Sequence, residues 1–239
     1  MPKDKTKWPK KAPGLTMEQA KILDDWTKYW FEINRNKFSH VVDFGHCFVT
    51  QHSRKGFLRS LEIGAGLGDQ LDYEDLTDEQ MSNYVSVELR ENMAGVMQKR
   101  WPKTKTLIAD CQEHIPFPDA YFDRIIAIHV LEHLANLPAL LSEADRLLSR
   151  HGQFLVVIPC EGGFGYTLGR RFTSKRIFEK RYKQAYAPFI RADHVNNAKE
   201  VLIELRETFL VEEVSWYPLR IPSIHSNLCI GLVLKPLSR

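Results

Sequence analysis

An acidic residue followed by three closely spaced glycines, Glu62-Ile63-Gly64-Ala65-Gly66-Leu67-Gly68, closes an apolar run that begins at Leu58. These residue types in this order suit ligand binding. Glycines let the backbone turn sharply and come within contact distance of a bound molecule, and a carboxylate at a strand's carboxyl end lies where open α/β sheets bind ligands. The spacing separates two chemistries. A dinucleotide fingerprint, G-x-G-x-x-G, seats a pyrophosphate on a helix N-terminus; here Asp69 stands in the place of the third glycine, where it would repel that group. An acid before the turn suits a ligand with a cationic group, such as the amino group of a methionine-derived moiety.

Three further segments follow in order. Tyr84-Val85-Ser86-Val87-Glu88 reads as a short strand ending in an acid, at roughly the 20-residue distance where a carboxylate meets ribose hydroxyls. Lys105 to Ala109 reads as a third strand, ending at Asp110-Cys111-Gln112, and Phe117 to Ile128 carries a fourth that leads into His129-Val130-Leu131-Glu132-His133-Leu134. Together these segments resemble the ordered motifs of the class I S-adenosylmethionine-dependent methyltransferases, in the small-molecule group with a Leu-Glu-His-Leu segment. The resemblance covers residues 57–159 by motif and the remainder more loosely. It implies S-adenosylmethionine as cofactor, bound by Glu62, Gly64, Ala65, Gly66 and Gly68 at the glycine turn, Glu88 and Leu89 at the ribose, Asp110, Cys111 and Gln112 at the adenine, and His129 and Val130 beside it. The Asn or Asp, Pro, Pro, aromatic run of the branch that methylates bases and amides is absent, since that place reads Ala127-Ile128-His129-Val130.

The elements that must position these residues read as α/β. Leu137, Leu140, Leu141, Ala144, Leu147 and Leu148 recur at helical spacing, His151-Gly152 marks a turn, and Gln153 to Ile158 is apolar almost throughout, as a strand covered on both faces should be. Phe209 to Tyr217 and Asn227 to Leu234 read as two more strands. The expectation is a Rossmann-like, seven-stranded, mostly parallel sheet with an antiparallel last strand, helices on both faces, an N-terminal helix and an inserted lid-like segment after strand 5. In that helix Met17, Ala20, Ile22, Leu23, Trp26, Tyr29, Trp30 and Ile33 form a stripe that either caps the site or packs as core.

At 239 residues and 44% hydrophobic composition the chain can bury one sizeable core. Residues 1–14, rich in lysine and proline, are expected as a flexible basic tail, and 15–239 as a single domain. No apolar run of about 18 residues and no leader peptide is evident. Cys47, Cys111, Cys160 and Cys229 lack C-x-x-C pairing, which points to free thiols and a cytoplasmic setting. The insertion, 160–195, carries Tyr166, Arg170, Arg171, Lys175, Arg176, Lys180, Arg181 and Lys183 among aromatics. Its local charge fits a phosphorylated or carboxylated metabolite or glycan, an anionic membrane surface, or RNA. No RNA-binding module is present, so a small-molecule or carbohydrate-type anionic acceptor is expected, touching Tyr166, Arg170 and Arg171. A specific nucleic acid is not, and peripheral membrane contact stays open. The stretch Ile158-Pro159-Cys160-Glu161-Gly162-Gly163 also resembles bacterial methyltransferases of surface polysaccharide synthesis.

An activated methyl group needs its acceptor aligned, and a base only if a hydroxyl must lose its proton early. His129, at the end of the fourth strand, is the first candidate for base or for pocket wall, and His133, Glu161 and His194 are the others. His40, His46, His52 and Cys47 are expected on mixed structure pointing apart, H-e-x-x-h is absent, and no metal is expected. The predicted function is methyl transfer to an anionic small-molecule or glycan-precursor acceptor, at oxygen. The competing class is a Rossmann-like nucleotide-binding protein without transferase activity, either an inactive binder or an NAD-dependent oxidoreductase.

Overall fold

The computed structural model describes residues 7–37 and 39–237. Seven strands form one sheet: β1 (Ser60–Ile63), β2 (Tyr84–Glu88), β3 (Lys105–Ile108), β4 (Phe122–Ile128), β5 (Leu148–Pro159), β6 (Phe209–Tyr217) and β7 (Cys229–Pro236), in the order β3-β2-β1-β4-β5-β7-β6. β1 pairs in parallel with both β2 and β4, whereas β7 runs antiparallel between β5 and β6. The nearly unbroken apolar runs of the central strands follow from burial on both sides, because successive side chains point to opposite faces. Phe154, Val156 and Ile158 of β5 join one core, while Leu155 and Val157 join the other. Helices α5 (Leu137–Leu147) and α9 (Ala198–Thr208) cover the first face; α2 (Ser39–His52) and α4 (Glu91–Arg100), on either side of the short α3 (Asp78–Ser82) in the chain, cover the second. The α5 stripe Leu137, Leu140, Leu141, Ala144 and Leu147 is buried throughout. Among the described residues no helix is long and apolar enough to cross a membrane.

Four expectations change. β5 begins at Leu148, so His151-Gly152 lies inside the strand, beside a register shift where Phe122 pairs with Leu148 and Arg124 with Gln153. The N-terminal segment forms two helices, α1 (Met17–Lys37) and α2, and His40, His46 and His52 all sit on α2 rather than on mixed structure. They do turn apart: His46 Nδ1 lies 2.9 Å from Gln70 Oε1, and His52 Nδ1 lies 2.8 Å from the Phe48 carbonyl. The tail expected to be flexible is docked where it is described. Trp8 packs on the core and donates to Glu204 at 3.3 Å, Lys10 reaches the Val195 carbonyl at 2.9 Å, and Lys7 and Lys10 both pair with Glu200. Residues 1–6 lie outside the described residues.

The insertion folds into α6 (Phe164–Phe172), α7 (Ser174–Tyr182) and α8 (Ala187–Asp193). Its core is shared with α1: Trp26 stands edge-on to Phe178 at 5.2 Å, and Phe178, Tyr186 and Phe189 are all buried around it. The aromatic stripe of α1 is therefore the packing partner that orders the insertion.

Beneath the second face lies a buried charge. The Arg124 side chain is wholly enclosed, donating to Glu74 at 2.9 Å, Ser60 at 3.0 Å and Ser53 at 3.0 Å, with its guanidinium 3.6 Å from the centre of the Phe57 ring. Removing one member of such a pair strands the other away from water. Arg124→Met should cost about 3–5 kcal/mol in urea unfolding, and adding Glu74→Leu should recover much of that loss.

Candidate active site at the carboxyl edge of the sheet

Past β1 the backbone turns through Gly64, Gly66 and Gly68 at φ of 66°, 57° and 77°. Gly64 is held to glycine twice over, by that dihedral and by a Cβ that would lie 2.4 Å from Val130 Cγ2, so the loops after β1 and β4 touch. Gly66 is buried, yet a Cβ on it would meet nothing within 4 Å. The turn thus borders an open cradle. Its amide donates to Glu88 Oε2 at 2.9 Å, while Glu88 Oε1 accepts from the Arg90 amide at 2.9 Å and Arg90 Nε at 3.1 Å. Ala65 N is tied to the Val87 carbonyl at 3.2 Å. Leu89, beside this carboxylate, is 65% exposed, an apolar side chain with no core to fill.

Glu62 is buried on β1 and accepts from the Tyr84 hydroxyl at 3.0 Å. Burial, against the opposing Tyr84 hydrogen bond, pushes its pKa up to about 8. The free chain holds this carboxyl largely protonated near neutrality; a ligand ammonium beside it would draw the proton off. On the third strand's loop, Asp110 Oδ1 accepts from Gln112 N at 2.9 Å, and Gln112 Oε1 accepts from Asn136 N at 2.6 Å. Cys111 is buried between them with its thiol pushed up to about 12, first by burial and then by Asp110, so it packs as a small apolar group.

His129 ends β4 at φ 53°, a strained value for a side chain of this size and of a kind concentrated at functional sites. Its Nδ1 lies 3.6 Å from Glu132 Oε1. Burial opposes the charged form, but Cys229 and Glu132 beside the ring raise its pKa above the usual histidine range. These neighbours favour the charged ring, which suits it to donate rather than to act as the base that its position suggested.

The other candidates converge nearby. His133 Nδ1 lies 3.0 Å from the Asp193 carbonyl and 3.2 Å from Asp193 Oδ1. His194 Nδ1 lies 3.0 Å from Glu161 Oε2, and the two imidazoles meet edge to face at 4.7 Å. Arg170 corrects the expected anion-binding surface: it turns inward to Glu161 at 2.6 Å and lies over the Tyr166 ring at 5.4 Å, so its charge is already neutralised. Arg171 is exposed. Arg181 is likewise spent on Asp25 at 3.1 Å. The positive charge of the insertion is partly internal.

Three participants escaped the sequence reading as site residues. Glu132 is buried with Oε2 lacking any hydrogen-bond partner. Asp193 is held below the usual carboxylate range despite burial, by His133 first and also by His194 and by Arg90, the residue that grips Glu88. Asn196, fully buried, donates to the Leu131 and Leu134 carbonyls at 2.8 Å each and takes its backbone place against the Glu132 carbonyl at 3.0 Å. It staples the end of the insertion to the Leu-Glu-His-Leu segment.

A family model described as a methyltransferase domain matches residues 61–156, the span from β1 to the middle of β5. Over these residues the chain is a methyltransferase domain of the class I S-adenosylmethionine-dependent kind. An uncharacterised protein of Methanocaldococcus jannaschii is 29% identical over 187 residues, 78% of each chain. Sterol 4-C-methyltransferase of Caenorhabditis elegans is 29% identical over 128 residues, 50% of this chain and 37% of that protein. The crystal structure of the PH0226 protein from Pyrococcus horikoshii superposes with a TM-score of 0.60 at 16% identity, over 86% of this chain and 93% of that one, a likeness of fold. The methyltransferase's residues fit its cofactor: the cradle over Gly66 is open and walled by the buried Glu88 carboxylate.

Glu62 gives a stability test. Its pKa in the folded methyltransferase is about 8 against an ordinary 4.5, so its contribution is fully present below about 4.5 and is lost as pH rises through about 8. In thermal melts of the ligand-free protein, Glu62→Gln should gain on the parent steadily between those two values, while its affinity for S-adenosylhomocysteine falls on the order of tenfold.

Proposed function

We propose that the domain transfers the cofactor's methyl group to a hydroxyl oxygen of a small-molecule or glycan-precursor acceptor, held in the chamber between His129, Tyr166 and the Glu161–His194 pair. The observation that carries this reading is the juxtaposition of two different linings. One is a glycine cradle whose wall is the Glu88 carboxylate, fixed by the Gly66 amide at 2.9 Å. The other is a group of polar side chains from the segment after β4 and from the insertion, near which Arg90 serves both Glu88 and, through its charge, Asp193.

S-adenosylmethionine, when bound, supplies an activated methyl group on a sulfonium. Glu88 accepts from ribose hydroxyls with the lone pairs that Gly66 and Arg90 leave free, Glu62 holds the ammonium, Leu89 offers an apolar surface to the adenine, and Gly64, Ala65, Gly68 and Val130 shape the cradle. The turn of Asp110, Cys111 and Gln112 closes its adenine end. His129, as a cation, donates a hydrogen bond to the acceptor and fixes its orientation. Because Arg170 is paired with Glu161, it gives no support for a negatively charged acceptor, and the reading rests on the hydroxyl rather than on net charge.

Calorimetric titration with S-adenosylhomocysteine, with NAD in parallel, tests the reading. Micromolar binding of the first and none of the second is expected, and Glu88→Ala should weaken it by roughly 10- to 100-fold, the loss of hydrogen bonds to a charged group. Binding of NAD alone would overturn the assignment of both carboxylates.

A further inference from the structure

His133, Asp193 and His194 each present one ligand atom, and these atoms lie within 4.8 Å of one another. We propose that they bind a divalent transition-metal cation of the Zn²⁺ or Mn²⁺ kind, with Glu132 as the adjoining carboxylate. His194 is already oriented as metal ligands usually are, with Nδ1 committed to Glu161 and Nε2 turned toward Asp193, while His133 meets the Asp193 carboxylate through Nδ1 at 3.2 Å. His133 uses Nδ1 on the Asp193 carbonyl at 3.0 Å; His194 uses Nδ1 on Glu161 at 3.0 Å. The remaining nitrogens face carboxylates across gaps too long for hydrogen bonds: His133 Nε2 is 3.9 Å from Glu132 Oε1, and His194 Nε2 is 3.8 Å from Asp193 Oδ2.

Those gaps have a natural size. Ligands about 2.1 Å from a tetrahedral ion stand roughly 3.4 Å from each other, so the three side chains, now within 4.8 Å, would draw together by up to about an ångström on binding. An independent observation points the same way. Glu132 is 3% exposed at its side chain and its Oε2 has no partner, a desolvation cost that a protein rarely leaves unrelieved. Its other oxygen lies 3.6 Å from His129 Nδ1 and 3.9 Å from His133 Nε2, which sets an under-compensated negative charge beside the cluster. The neighbouring acid, Glu161, is neutralised by Arg170 and serves to orient His194. Two imidazoles with one or two carboxylates select borderline ions over Mg²⁺ or Ca²⁺, which favour all-oxygen sets.

The scaffold is rigid enough to hold such a site. Asn196 fixes the chain after His194 to three carbonyls of the Leu131–Leu134 turn, which keeps the two histidines in register. At this position the ion acts as a Lewis acid on the acceptor's hydroxyl, lowering its pKa so that the proton passes to water and no protein base is needed. The acceptor role rests on the reading of the chamber as the methyl-acceptor side; ion binding does not, and is measured separately.

The experiment uses the full chain, stripped with a chelator and titrated with Zn²⁺ and Mn²⁺, with Mg²⁺ and Ca²⁺ as controls and S-adenosylhomocysteine binding recorded on every sample. One equivalent of Zn²⁺ or Mn²⁺ should bind, and His133→Ala and His194→Ala should each weaken it by at least about tenfold, with S-adenosylhomocysteine affinity within about twofold of the parent. Co²⁺ loaded in place of Zn²⁺ should give visible absorption that Asp193→Asn alters, a readout independent of turnover. His114→Ala, on an exposed side chain outside the cluster, should change nothing. Failure of the stripped protein to bind either ion, or binding that survives both histidine variants, would overturn the site while leaving the cofactor assignment standing. Ion binding with no S-adenosylhomocysteine binding would uphold the site and sink the methyl-transfer reading of it.

Discussion

The hydrogen bond from the Gly66 amide to the buried Glu88 carboxylate is the constraint on which the site depends. It ties the turn after β1 to the end of β2, and it holds because two other donors, the amide and side chain of Arg90, share the charge. A carboxylate buried at 3% exposure without such partners would be costly; with them it becomes a fixed acceptor facing an open cradle. The contact of Gly64 with Val130 extends the same constraint to β4, so that three strand ends are locked together without any side chain filling the space between them.

The opposite face stores charge of another kind. Glu62, Tyr84, Glu74 and Arg124 form a chain of buried polar groups under the glycine turn, and only Arg124 carries a positive charge among them. Their balance leaves Glu62 short of compensation, which is why burial raises its pKa. Stability is given up at the point where a cationic ligand would restore it, a trade commonly seen at binding sites.

The insertion is a second structural layer rather than a loose lid. Its ordering depends on α1, whose Trp26 enters the cluster of Phe178, Tyr186 and Phe189, and on Asn196, which fixes its exit. Through these two anchors, residues some 60 positions apart in the chain, His133 and His194, come to meet ring against ring. Part of the basic character that marked this segment is a by-product of that architecture, since Arg170 and Arg181 are used to hold helices to their neighbours.

The sequence alone determined the sheet and the cradle. Glycines at alternate positions after Glu62, acids closing the first two strands and two-sided apolar runs such as Phe154 to Ile158 are local signals: each is set by backbone sterics or by burial of neighbours on one strand, and each can be read from a few consecutive residues. Tertiary structure decided which histidines and acids act together. Whether Arg170 faces solvent or Glu161, whether Trp8 is loose or docked on α9, and whether Glu132, His133, Asp193 and His194 share one pocket depend on contacts between segments far apart in the chain. Periodicity is blind to such contacts, because the free energy that fixes them comes from burying and pairing groups that only the folded chain brings within reach.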